Sequence, residues 1–128
     1  MSWQSDIVDS IRTNSELLAL LEGRVFADAA DGTVSTPYLV YQVISSNGET
    51  THDGRRDVEL PLIQFTVWAT GKAQAIQIAS ALTEQIEGRN LPGDSNTSLG
   101  FSNQLSNRDP ATKLFGEVVE FRVSCNRN

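Results

Sequence analysis

Leu60-Pro61-Leu62-Ile63-Gln64-Phe65-Thr66-Val67-Trp68-Ala69 runs through Thr70 into Gly71-Lys72-Ala73-Gln74-Ala75-Ile76-Gln77-Ile78-Ala79-Ser80-Ala81-Leu82-Thr83-Glu84-Gln85-Ile86-Glu87-Gly88, and the hydrophobic period changes on the way. In the first stretch Ile63, Phe65 and Val67 point one way while Gln64, Thr66 and Trp68 point the other. This two-residue alternation is that of a half-buried strand, with Trp68 on its polar side. In the second, Ala75, Ile78, Ala79, Leu82 and Ile86 recur at helical spacing, which predicts a helix whose small alanines let it approach a sheet closely. Thr70 or Gly71 caps its start and Gly88 marks its stop.

Upstream, Pro37-Tyr38-Leu39-Val40-Tyr41-Gln42-Val43-Ile44 is rich in β-branched and aromatic residues, and Pro37 suits the first position of a strand. Both its faces are apolar, as in a strand that is central in its sheet or carries a second face into an interface. From Ser5 to Leu21, Ile7, Val8, Ile11, Leu18 and Leu21 form an amphipathic helical stripe that lapses at Thr13-Asn14. Thr13-Asn14-Ser15-Glu16 has the form of a capping box, with Thr13 accepting from the Glu16 amide, so a helix, a break and a short second helix ending at Gly23 are expected. Downstream, Arg89 to Ser98 reads as a loop, Phe101 to Ser106 as a short strand, and Asn107-Arg108-Asp109-Pro110 as a turn. In Leu114 to Cys125, Val119, Phe121 and Val123 alternate with Glu120, Arg122 and Ser124. The resulting fold class is α+β. It has an antiparallel sheet of about four strands with two main helices packed on one face, in the order α-β-β-α-β-β.

The chain has 128 residues, which fits a single domain over 1–128, and a chain of this length buries roughly two thirds of its unfolded surface without disulfides or metals. Its one cysteine, Cys125, has no partner in the chain and fits a reducing compartment. With 10 Lys and Arg against 16 Asp and Glu, the net charge is −6, the wrong sign for a nucleic-acid binder that works by counterion release. No apolar run is long enough to span a membrane. Met1-Ser2-Trp3-Gln4-Ser5-Asp6 lacks the basic and apolar segments of a signal peptide, so the protein is expected to stay in the cytoplasm where it is made.

Few residues stand in patterns that carry chemistry. A catalytic zinc wants about three protein ligands, and His52, the only histidine, stands beside Thr50, Thr51 and Asp53 without a second His or a nearby Cys. No serine lies in a G-x-S-x-G elbow. Gly71-Lys72 follows a strand and opens a helix, yet lacks the glycine spacing that wraps backbone amides around a phosphate. The carboxylate pairs Glu117 with Glu120 and Asp53 with Asp57 read as exposed polar positions, without the contrasting environments an acid and base need. The sequence therefore points to a non-enzymatic protein with no cofactor and no metal.

What remains is surface. Tyr38, Tyr41, Trp68 and Phe26 exceed what one sheet face needs, and large aromatics are enriched in interface cores. Ser45 to Asp57 is a long polar connection with turn signals at Asn47-Gly48 and Asp53-Gly54. The candidate protein-contact residues are accordingly Asn47, Glu49, His52, Asp53, Arg55, Arg56 and Asp57 in that connection, with Tyr38 and Trp68 on the strands.

Several stretches taken in order carry a resemblance: Leu20-Leu21-Glu22-Gly23-Arg24-Val25-Phe26-Ala27-Asp28, Thr36-Pro37-Tyr38-Leu39-Val40-Tyr41-Gln42-Val43-Ile44-Ser45, Gln64-Phe65-Thr66-Val67-Trp68-Ala69 with its helix, and the closing Glu120-Phe121-Arg122-Val123. Together they resemble the tail completion, or tail terminator, proteins of long-tailed bacteriophages over residues 5–124. The resemblance implies a virion protein at the head-proximal end of the tail, assembled in the host cytoplasm. Such a protein forms a homo-oligomeric ring, as a rule hexameric, that caps the tail tube and joins it to the head connector protein. It has neither cofactor nor catalysis, and DNA passes through the ring without specific binding. Two other readings compete: a head-side neck or connector protein, and a small ligand-binding domain with a cleft beside His52.

Overall fold

The computed structural model describes residues 3–27, 35–45, 58–59, 62–88 and 97–126. Two helices, α1 (Trp3–Thr13) and α2 (Ser15–Leu21), lead into a three-residue strand, β1 (Val25–Ala27), and then into β2 (Tyr38–Ser45). The short β3 (Val58–Glu59) and β4 (Leu62–Ala69) precede the long helix α3 (Lys72–Ile86), and β5 (Thr97–Asp109) and β6 (Leu114–Asn126) close the order.

The break between α1 and α2 falls where the lapse in the apolar stripe predicts, but the cap is one residue later than expected. Asn14, not Thr13, accepts from the Glu16 and Leu17 amides, at 3.0 and 3.1 Å. Thr13 turns its hydroxyl back to the Asp9 carbonyl at 2.7 Å. Asn carries its acceptor one bond further from the backbone than Thr and is the stronger cap. At the other end of α2, Glu22 (φ 52) and Gly23 (φ 79) are both left-handed, and the cap amide of Glu22 donates to Leu18. Gly23 takes that conformation without the steric cost a Cβ would bring.

The sheet is mixed rather than antiparallel throughout. β1 runs parallel to β2, while β2–β4, β4–β6 and β5–β6 are antiparallel. β3 and β4 meet β6 on one diagonal, with Val58 opposite Asn126, Glu59 opposite Cys125 and Leu62 opposite Arg122, so the two act as one strand position. Among the described residues the sheet thus has five positions, in the order β1, β2, β3/β4, β6, β5, rather than about four. β1 adds the parallel edge, and β5 is longer than the short strand expected over 101–106.

The three described helices lie on one face. On that side Ile63, Phe65 and Val67 of β4 and Val119, Phe121 and Val123 of β6 are fully buried, against Ile7, Ile11, Leu17 and the α3 stripe Ile78, Ala79, Leu82 and Ile86. Phe65 and Phe121 meet edge to face at 5.7 Å. No described helix is long and apolar enough to cross a membrane.

The two edges are finished differently. The Leu39 amide donates to the Arg24 carbonyl at 2.9 Å, which leaves Val25 with its own N–H and C=O turned away from β2. Both are taken: the amide donates to the Gly23 carbonyl at 2.9 Å, and Nη2 of Arg12 donates to the Val25 carbonyl at 2.8 Å. At the far edge, the amide of Gly88, just past α3, donates to the Leu99 carbonyl at 2.8 Å.

Candidate interaction surface

The sheet face away from the helices is built in rows that cross strands. Register places Tyr38 of β2 opposite Trp68 of β4, and Trp68 opposite Gly116 of β6. Phe26 of β1 meets the Tyr38 ring edge to face at 6.2 Å. The Trp68 indole lies flat over Gly116, where a Cβ would come within 2.8 Å of its Cζ3. Glycine is thus what lets this row lie close to the backbone.

The next row is Val40, Thr66, Val118 and Leu105; the one after it is Gln42, Gln64, Glu120 and Asn103, where Nε2 of Gln64 donates to Oε2 of Glu120 at 3.1 Å. An aromatic row, an apolar row and a polar row therefore succeed one another down the open face. Ile44 of β2 and Leu105 of β5 are 46% and 47% exposed. Burial, with the charge of Asp109 as the lesser cause, raises the Tyr38 phenol above its ordinary value, so at neutral pH it remains a hydrogen-bond donor.

Two of the expected contact residues, Tyr38 and Trp68, are thereby neighbours. Asn47, Glu49, His52, Asp53, Arg55, Arg56 and Asp57 lie outside the described residues. Of the four aromatics, Phe26, Tyr38 and Trp68 share the open face, whereas Tyr41 packs against the core. The reading of Glu117 and Glu120 as an exposed pair is corrected. Glu117 is 4% exposed on the helix side of β6, and the half-buried Glu120 faces the open side. Oε2 of Glu117 accepts from Nε2 of Gln104 at 2.7 Å and Oε1 from the Ser106 hydroxyl at 2.8 Å, partners that make a buried carboxylate tenable. The two glutamates are an odd number of residues apart on one strand, and so on opposite faces, a fact their spacing already contained.

Two hollows differ in charge. One, of about 360 Å³, lies where α3 begins beside β5 and β6 and is lined by Lys72, Ser106, Asn107, Arg108, Phe115 and Gly116. The Arg108 guanidinium sits over the Phe115 ring, 4.7 Å from its centre. The other, of about 370 Å³, runs between α2 and α3, where Ala19, Leu20 and Ala81 are flanked by Glu16 and Glu84.

The family model described as tail completion protein gp17 matches residues 5–125. The chain belongs to the tail completion protein family. That membership gives it a structural role in a phage tail or head-to-tail region. The tail completion protein also shares its fold with a chain from the virion of a native gene transfer agent particle, with a TM-score of 0.72 and 19% identity, covering 98% of this chain and 96% of that one. The gp17 protein of bacteriophage SPP1 is similar as well, with a TM-score of 0.56 and 18% identity, covering 98% and 88%. No curated protein matches by sequence.

Proposed function

We propose that this tail completion protein forms a closed ring that terminates the phage tail tube and joins it to the head connector. Family membership over residues 5–125 is the observation that carries the reading. The surface supports it. A ring closes through a heterologous interface in which each subunit offers two different patches, and the basic hollow at Lys72 and Arg108 and the acidic one at Glu16 and Glu84 are two such patches on one molecule. The open face, with Tyr38 and Trp68 side by side, is the surface offered to the tube or connector, and the Asn47 to Asp57 segment supplies further contacts. A net charge of −6 lets DNA pass without being gripped.

The test is to add the purified protein to tail tubes lacking it. Light scattering should report a defined oligomer, alone or on tubes, and negative-stain images should show one ring at a single tube end. In pull-downs the protein should capture both tube and connector proteins. A protein that remains monomeric and ignores both overturns the proposal, and one that captures the connector but never the tube belongs to the head side instead.

A further inference from the structure

We infer that the outer edge of β5, from Phe101 to Asn107, is the place where a second copy of this chain adds a strand to the sheet, an inference that rests on the ring reading above. Even-numbered residues of β6 face β5, pairing Ser98 with Ser124 and Gly100 with Arg122, while the Leu99 carbonyl points outward to Gly88. The bulge between Phe101 and Asn103 then shifts the phase, so that Asn103, Leu105 and Asn107 face β6. Gln104 and Ser106 are left with N–H and C=O directed outward, and no backbone partner faces them among the described residues. Arg108 is outward too, but its amide is taken by Oδ1 of its neighbour Asn107 at 2.8 Å.

Natural edge strands are blunted by lysines, prolines, bulges, short length or cover. This one runs for 13 residues, and residues 95–107 contain no Asp, Glu, Lys, Arg or Pro. The central β4 segment is equally free of charge between Glu59 and Lys72. β5 thus lacks the charges and prolines that blunt an edge between Ser95 and Asn107, its one such device being the bulge between Phe101 and Asn103, and Phe101 and Leu105 beside the edge are 44% and 47% exposed. The opposite edge, by contrast, is closed at Val25.

The edge is also held ready. Gln104 and Ser106, whose backbones are open, are the two residues whose side chains are clamped to the buried Glu117 carboxylate. That clamp fixes alternate residues of the edge in extended form, which lowers the ordering cost of adding a strand. Charge selects the occupant. Two copies of a chain carrying −6 repel where acidic surfaces face each other, and an uncharged edge receives a segment of the next copy without opposing like charges.

Hydrogen exchange on the full-length protein tests this, comparing dilute monomer with the oligomer formed alone or on purified tail tubes. The Gln104 and Ser106 amides should exchange freely in the monomer and slow by roughly tenfold or more on assembly. Leu105→Lys, at an exposed position, should leave the circular dichroism spectrum and melting unchanged and weaken assembly by roughly tenfold or more. An oligomer whose Gln104 and Ser106 amides stay fast overturns the edge assignment while leaving the ring intact. Protection that appears on tubes with single copies bound assigns the edge to the tube protein and overturns the second-copy assignment. A chain that never associates overturns both this inference and the ring.

Discussion

The two faces of the sheet are made from the same strands, yet they do different work. On β4, Ile63, Phe65 and Val67 are sealed beneath the helices, while Gln64, Thr66 and Trp68 are half-buried on the open side. A solvated face normally alternates to plain polar residues. Here it carries an aromatic row, Phe26, Tyr38 and Trp68, above an apolar one. The helix side is where burial holds the fold together; the open side holds apolar area that the monomer does not need for its core, as an interaction surface does.

The sharpest way to break that division is to disturb the packing on each side, by a hole on one and by overfilling on the other. Phe121→Ala removes a fully buried ring that meets both Phe65 and Phe101 edge to face, and chemical denaturation should show a loss of about 3 to 5 kcal/mol. A loss well under about 1 kcal/mol would mean that the helix side is not where the stability lies. Gly116→Val acts on the other face, driving a side chain into the Trp68 indole. It should cost about 1 to 3 kcal/mol, shift tryptophan fluorescence, and impair assembly more than that loss explains.

A smaller effect comes from pH. In the unfolded chain a tyrosine ionises near pH 10, whereas folding raises the Tyr38 value, so between the two the unfolded state has already released a proton that the folded state keeps. The contribution is complete below about pH 10 and falls as pH rises through the folded value. Base titration of the melting temperature should show a decline that Tyr38→Phe reduces. Covering the open face by assembly should push that decline to higher pH, and an unmoved decline in the oligomer would mean that Tyr38 stays uncovered.

Much of the sealed side was legible because its signals are local. The β4 alternation and the α3 stripe needed only their own residues, and every position singled out there as apolar and inward is buried. β1 was not legible as a strand, since its three residues are too few to display a period and its parallel pairing depends on a distant partner. β5 was read short because an edge strand with Ser, Asn and Gln on both sides has no alternation to reveal. The capping box pointed to Thr13 because the pattern fits it, but the pattern does not say which of two adjacent acceptors reaches the free amides. The open face was half visible: Tyr38 and Trp68 were each conspicuous, but only cross-strand register makes them neighbours.

Arg12 bears on more than the packing of α1. One guanidinium occupies the Val25 carbonyl at the β1 edge, so the closure at Val25 is half side chain and half backbone, the amide being taken by the Gly23 carbonyl. Were the Val25 acceptor free, the parallel edge would offer a place for strand pairing outside the interface that closes a ring, and an extra interface of that kind is a route to open-ended growth. The residue that tethers the first helix thus also keeps a backbone acceptor of the parallel edge from an incoming strand, a second duty that a measurement of monomer stability alone would not register.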